Sequence, residues 1–271
     1  RKQLTLIFSW KILKKSLQFC IPEFPARIGS ESVSRMNRFI LLYYLSTSAL
    51  GVYAVAIKFA SSMELITNAF IMSWRPYMYE SLKISNYKTK FLLIYEITLY
   101  LSSFFILSMS LYSNEIINLF TTEEYYMAKY LLPGLFLFYG LYLIKTVVDI
   151  GPAISKKMIY VPYIYFTVSI FNVIFLLLGV SFFSLKGIVY AQIFTNFFLI
   201  IFSWFITEKL HPIGYNIKNF IFTFFCLFLL IILLMNIELG LPTRLAINIF
   251  IAILFLLHIN KNKTKWKEML F

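Results

Sequence analysis

Glu23, Arg27, Glu31, Arg35 and Arg38 stand in a stretch from Lys14 to Leu45 that is otherwise mostly apolar and long enough to cross a bilayer. Their spacing of four, four, four and three keeps them on one helical face, within an arc of roughly 120°. Leu17, Phe19, Ile21, Phe24, Ile28, Val33, Met36 and Phe39 make the other face apolar. An arginine at membrane depth costs on the order of 3 kcal/mol or more, so such groups persist where they meet a partner or a water-filled cavity. Two chemistries fit. The first four residues can neutralise one another as an i, i+4 ladder, which leaves Arg38 over. Alternatively, Arg27, Arg35 and Arg38, joined by Lys58 from the next apolar run, form a cavity with surplus positive charge. Such a cavity suits an anionic ligand, because a guanidinium fork matches phosphate and carboxylate. The residues alone leave both readings open. Lys145 and Asp149, four apart in a later run, can pair on one helix face.

Other chemistries lack their residues. There is no Walker A sequence, no glycine-rich dinucleotide fingerprint and no nucleophile elbow. The two histidines, His211 and His258, lie far apart, and so do Cys20 and Cys226, which read as small buried hydrophobes in apolar runs. No catalytic residue, metal set or cofactor is expected.

The elements that must hold these charges are membrane spans. The chain of 271 residues is 60% hydrophobic and 14% charged, against about 45–50% and 25% in soluble domains. The apolar runs do not alternate as barrel strands would. Eight spans are predicted, at about 14–45 (bent near Pro22 and Pro25), 50–74, 91–112, 127–150, 158–180, 185–206, 217–237 and 241–259. With the first end inside, alternate loops carry Arg75, Lys83, Lys88 and Lys90, then Lys156 and Lys157, then Lys209 and Lys218, then the basic tail. The opposite loops hold Glu115, Glu123, Glu124 and Glu238 and almost no Lys or Arg. Both ends of the segment are therefore expected on the cytoplasmic side. The net charge of +13 follows this topological pattern, and a nucleic-acid partner is not expected. Trp10, Trp74, Trp204 and Trp266 fall near the predicted interfaces and read as an aromatic belt. The opening at Arg1, basic and without a signal-peptide pattern, suggests the C-terminal portion of a longer protein.

One stretch resembles a known family. A proline-containing helix is followed by Asn37-Arg38-Phe39-Ile40, then Leu50-Gly51-Val52-Tyr53-Ala54-Val55-Ala56-Ile57-Lys58-Phe59-Ala60, then Phe70 and Trp74-Arg75-Pro76. This is similar to the opening of the second half of bacterial polysaccharide-biosynthesis membrane proteins. These are the lipid-linked oligosaccharide (O-antigen) flippases of the multidrug/oligosaccharidyl-lipid/polysaccharide exporter superfamily. The family's usual Asp-Arg pair stands here as Asn37-Arg38. The resemblance implies an all-α, two-lobed exporter fold. Residues 1–210 would form a C-terminal lobe of about six spans, and 211–271 two additional spans and a cytoplasmic tail. An N-terminal lobe would face them. It further implies alternating access in the bacterial inner membrane, with an undecaprenyl-diphosphate-linked oligosaccharide as substrate and other polysaccharide-assembly proteins as possible partners. Arg27, Arg35, Arg38 and Lys58 would contact the diphosphate or acidic sugars, and Glu31 or Asp149 would carry a coupling ion. Two alternatives are a cation-coupled multidrug exporter of the same superfamily and a membrane enzyme of the pathway, such as a polymerase or acyltransferase. The second would usually need a larger outer loop.

Overall fold

A helix that is apolar around its whole circumference must be wrapped by others, and Leu132–Val148 is such a helix. The computed structural model describes residues 8–21, 24, 37–237 and 239–261. Arg27, Glu31 and Arg35 lie outside the described residues, as does the middle of the first predicted span. The regular elements run in order α1 (Trp10–Cys20), α2 (37–44), α3 (Thr47–Ala60), α4 (Met63–Ser81), α5 (Tyr87–Leu111), α6 (Ser113–Phe120), a 3-10 helix (Glu123–Tyr130), α7 (Leu132–Val148), the single turn α8 (Gly151–Ile154), α9 (Tyr160–Leu210), α10 (Ile217–Leu234) and α11 (Leu241–Lys261). Among the described residues every regular element is helical and none is a strand. Five stretches are long and apolar enough to cross a membrane: Thr47–Ser81, Tyr87–Leu111, Leu132–Ile154, Tyr160–Leu210 and Ile217–Leu234. The third of these is by far the most deeply buried, and α5, α9, α3, α4 and α10 pack around α7.

Small residues let the helices close on α7. A Cβ added at Gly140 would strike Ile106 of α5, and one at Gly134 would strike Val189 of α9. Without a hydrophobic drive between helices in lipid, such close approach is how they attract. Trp74 of α4 donates its indole N–H to the carbonyl of Thr146 at 3.2 Å and packs edge-on against Phe91. It is buried in the bundle and does not belong to an interfacial belt: its N–H finds a backbone acceptor inside. Cys20 and Cys226 are both exposed, contrary to the expectation of burial; Cys226 lies off the buried Phe220–Phe224–Leu227–Ile231 face of α10, and Cys20 is the last residue of α1. Lys58 lies within the stretch Thr47–Ser81, as expected, exposed in the last turn of α3 just before the turn at Ser61 and Ser62.

The long helix α9 is a hairpin. Ser184 has φ 49° and ψ −127°, which reverses the chain between an arm of residues 160–183 and one of 185–210. Gly179 and Gly187 meet backbone to backbone just before and after the reversal. Further along, Asn172 Nδ2 donates to Thr195 Oγ1 at 3.0 Å, and Phe171 stacks on Phe198 at 5.3 Å. On the first arm, Tyr163, Phe166, Ile170, Ile174 and Leu177 form an exposed apolar stripe, while Ile164, Val168, Asn172, Leu176 and Val180 point inward. The outward face is the apolar one in the sense that a lipid solvent requires.

Connections meet in two groups at opposite ends of the bundle. At one end Gly51 lies against Tyr125, Arg244 pairs with Glu115, and Lys186 donates to the carbonyl of Met235 and to Asn236 Oδ1. Ser108 donates to Asn248, which donates to Tyr112, so α11 is fastened to α5 by polar contacts as well as packing. At the other end Ser155 Oγ donates to the Leu210 carbonyl, and the Glu208 carboxylate accepts from the backbone N–H groups of Ile213, Gly214 and Tyr215. Tyr215 in turn donates to the Val147 carbonyl.

His211 belongs to this second end. Its Nε2 lies 3.0 Å from the Tyr87 hydroxyl and its ring stacks on Tyr87. Partial burial, helped by Lys88 and opposed by Glu208, holds its pKa below the usual 6.5. The folded protein therefore binds this proton less readily than the unfolded chain, and its contribution to stability is complete above pH 6.5. That contribution is lost as pH falls through the lowered value. Thermal unfolding in detergent is expected to show a lower midpoint as pH drops below 6.5. The drop should be smaller in His211→Gln, and equal slopes in the two proteins would refute the assignment.

Candidate functional site

Apolar spans carry neutral polar residues only where something inside satisfies them, and here they form stripes. Tyr165, Val168, Ser169 and Asn172 recur at i, i+3, i+4 and i+7 on the first arm of α9, and Gln192, Thr195, Asn196 and Leu199 repeat that spacing on the second. Phe138, Tyr139 and Tyr142 come from α7, Tyr53 and Ile57 from α3, and Glu64, Thr67 and Asn68 from α4. Asn37 and Arg38 come from α2. Together they line a cavity of about 560 Å³, within the range of small-molecule sites.

The amides are held in place by neighbouring helices. Asn196 Nδ2 donates to the Phe138 carbonyl at 2.8 Å, Gln192 Nε2 donates to the Tyr53 hydroxyl, and Asn172 reaches Thr195 across the hairpin. Among the described residues, the acceptors Asn37 Oδ1 and Gln192 Oε1 in this lining are buried and have no protein partner. An unsatisfied buried polar atom costs about 1–3 kcal/mol, so both ask for a donor from whatever fills the cavity. The charged groups in the described lining are Arg38 and Glu64, one of each sign.

At one end of the cavity Lys145 donates to Asp149 and, at 3.2 Å, to the Tyr165 hydroxyl. Its ammonium also lies over the rings of Tyr142 and Tyr165, at 5.5 and 5.3 Å from their centroids. The pair anticipated from spacing is made, and Asp149 is neutralised by it.

The structure thus separates the residues proposed for the site. Arg38 lines the cavity, Lys58 lies outside its lining on the surface of α3, and Asp149 is tied to Lys145 next to it. Arg27, Arg35 and Glu31 lie outside the described residues. The tyrosines and amides were not anticipated. The signal for them was present in the sequence: neutral polar residues at helical spacing inside two apolar runs, Ser169 and Asn172 in one and Gln192, Thr195 and Asn196 in the other.

This lining offers hydrogen-bond donors and acceptors with little net charge, beside phenol rings that present both an apolar face and a polar tip. A sugar ring has the matching surfaces: a rim of hydroxyls that both donate and accept, and an apolar face of C–H groups. No family model, curated protein or solved structure matches the chain.

Proposed function

We propose that this chain is the C-terminal part of a translocator that moves an undecaprenyl-diphosphate-linked oligosaccharide across the bacterial inner membrane. In this reading it crosses the membrane eight times with both ends in the cytoplasm. It faces an N-terminal lobe across the cavity and rocks against it, and it makes and breaks no covalent bond in its substrate. The cavity carries the reading, with amides and tyrosines from two arms of a hairpin and four other helices brought together within an apolar bundle. Sugar hydroxyls would satisfy Asn37 Oδ1 and Gln192 Oε1, and Arg38 would meet an anionic group of the ligand. The resemblance of residues 21–80 to the flippase family points the same way.

The test is complementation. In a strain deleted for the gene, the full-length protein is expected to restore long-chain surface polysaccharide. Gln192→Leu and Arg38→Ala should restore it poorly at equal membrane levels. Losing one buried hydrogen bond, at about 1–3 kcal/mol, corresponds to roughly 5- to 150-fold in affinity. Full recovery by both variants would remove the cavity from the substrate path.

Glu64 beside the aromatic rings is the observation that favours the rival, an exporter of cationic drugs. Unchanged polysaccharide in the deletion strain, together with a Glu64-dependent gain of drug resistance on overexpression, would decide for it.

A further inference from the structure

No other helix packs along α1 among the described residues, and it ends at Cys20 after 11 residues. At about 1.5 Å per residue it is roughly 16 Å long, half of the ~30 Å of hydrocarbon a span must cross. Its sequence is divided lengthwise. Helical register places Lys11, Lys14 and Lys15 within an arc of about 100°, and Ile12, Leu13, Leu17 and Cys20 on the remaining side. Trp10, Ile12 and Leu17 are 68%, 67% and 44% exposed, so this apolar side is left uncovered by the described residues. A short basic helix with a broad apolar side and a tryptophan at its start has the composition of a segment lying in the plane of an interface.

We propose that α1 is an in-plane anchor. Its apolar side sinks into the headgroup–acyl boundary, and its lysines meet a leaflet rich in anionic phospholipid. Trp10 sits at the headgroup level, where an indole is favoured. The lysine arc commits the partner to an anionic lipid surface, because an apolar protein groove would not call for three cations along its border. The inference is independent of what the cavity binds.

A spin label tests it in the full-length protein. Cys226→Ser leaves Cys20 as the labelling site among the described residues, on the apolar side of α1. The protein is reconstituted in nanodiscs of phosphatidylcholine alone or mixed with phosphatidylglycerol. Collision rates with oxygen and with an aqueous nickel chelate then report depth. With phosphatidylglycerol the label is expected to be shielded from nickel, reached by oxygen, and placed just beneath the headgroups. Changing Lys11, Lys14 and Lys15 together to Gln should lower the ratio of membrane-bound to released label on the order of 100-fold. High salt should move the wild type in the same direction. A label at the bilayer centre in both lipids would mean that α1 is part of a span. A label immobilised or water-exposed regardless of lipid and lysine content would mean that its partner is protein. Either result overturns the proposal.

Discussion

Gly187→Leu is expected to destroy the α9 hairpin and with it most of the folded protein. Any Cβ at this position would fall on the backbone carbonyl of Gly179, and no rotamer change can move a backbone. Overpacking a protein interior commonly costs about 1–3 kcal/mol when side chains can give way. Here the two arms must separate, so a loss of about 3 kcal/mol or more is expected. That would consume much of the stability of an ordinary domain. Separation would also break the Asn172–Thr195 bond and the Phe171–Phe198 stack, and so would open the cavity along two of its walls. Gly51→Ala is the control. A Cβ there would meet Tyr125 at 3.6 Å, an ordinary contact, and removing a helical glycine gains roughly 0.5–1 kcal/mol. Folded yield and thermal midpoint of the two variants in detergent should move in opposite directions. A Gly187→Leu protein with the wild-type midpoint would mean that the arms are not in contact at their tips.

The second large effect concerns Lys145 and Asp149. The Lys145 side chain is 9% exposed and that of Asp149 29%, so removing either partner strands a charge, but not equally. Asp149→Leu leaves an ammonium in the interior with a phenol and two ring faces for company. Breaking a buried pair from one side costs about 3–5 kcal/mol, and the upper half of that range is expected here. Lys145→Met leaves the better-solvated carboxylate and should cost less. The double variant should lie above both, since replacing a whole buried pair by apolar residues is often close to neutral. Unfolding midpoints of the four proteins test the order directly. The double variant also bears on transport. If it still restores surface polysaccharide, Asp149 carries no coupling ion and the pair is structural. If it is stable but inactive, the carboxylate has a role beyond the pair.

Several features were readable without coordinates because they are local. Lengths of apolar runs and the polar breaks between them place helices directly, and the regions predicted at about 91–112, 158–180, 185–206, 217–237 and 241–259 coincide with helical segments of α5, both arms of α9, α10 and α11. The reversal at Ser184 lies within the short break expected there. The Lys145–Asp149 pair was readable for the same reason, since i, i+4 spacing brings two side chains together whatever surrounds the helix. The stretch predicted as one span at 14–45 lies partly outside the described residues; within them, α1 ends at Cys20, just ahead of Pro22, where a bend was expected. Trp74 was misplaced because composition says where tryptophans are common, and only packing against Phe91 and Thr146 says where this one is.

By itself the sequence determined that this is an apolar helical protein, where most of its helices begin and end, and which charges can pair along one helix. Each of these rests on residues a few positions apart, whose geometry the helix itself imposes. Only the tertiary structure decided which polar stripes face one another. Gln192 reaches Tyr53 across 139 positions, Asn196 reaches Phe138 across 58, and Arg244 reaches Glu115 across 129. Such partners are chosen by how closely helices approach, through Gly134, Gly140, Gly179 and Gly187. That is why the charged helix dominated the expected site, while the neutral amides and tyrosines that line most of the described cavity emerged only when the bundle was assembled.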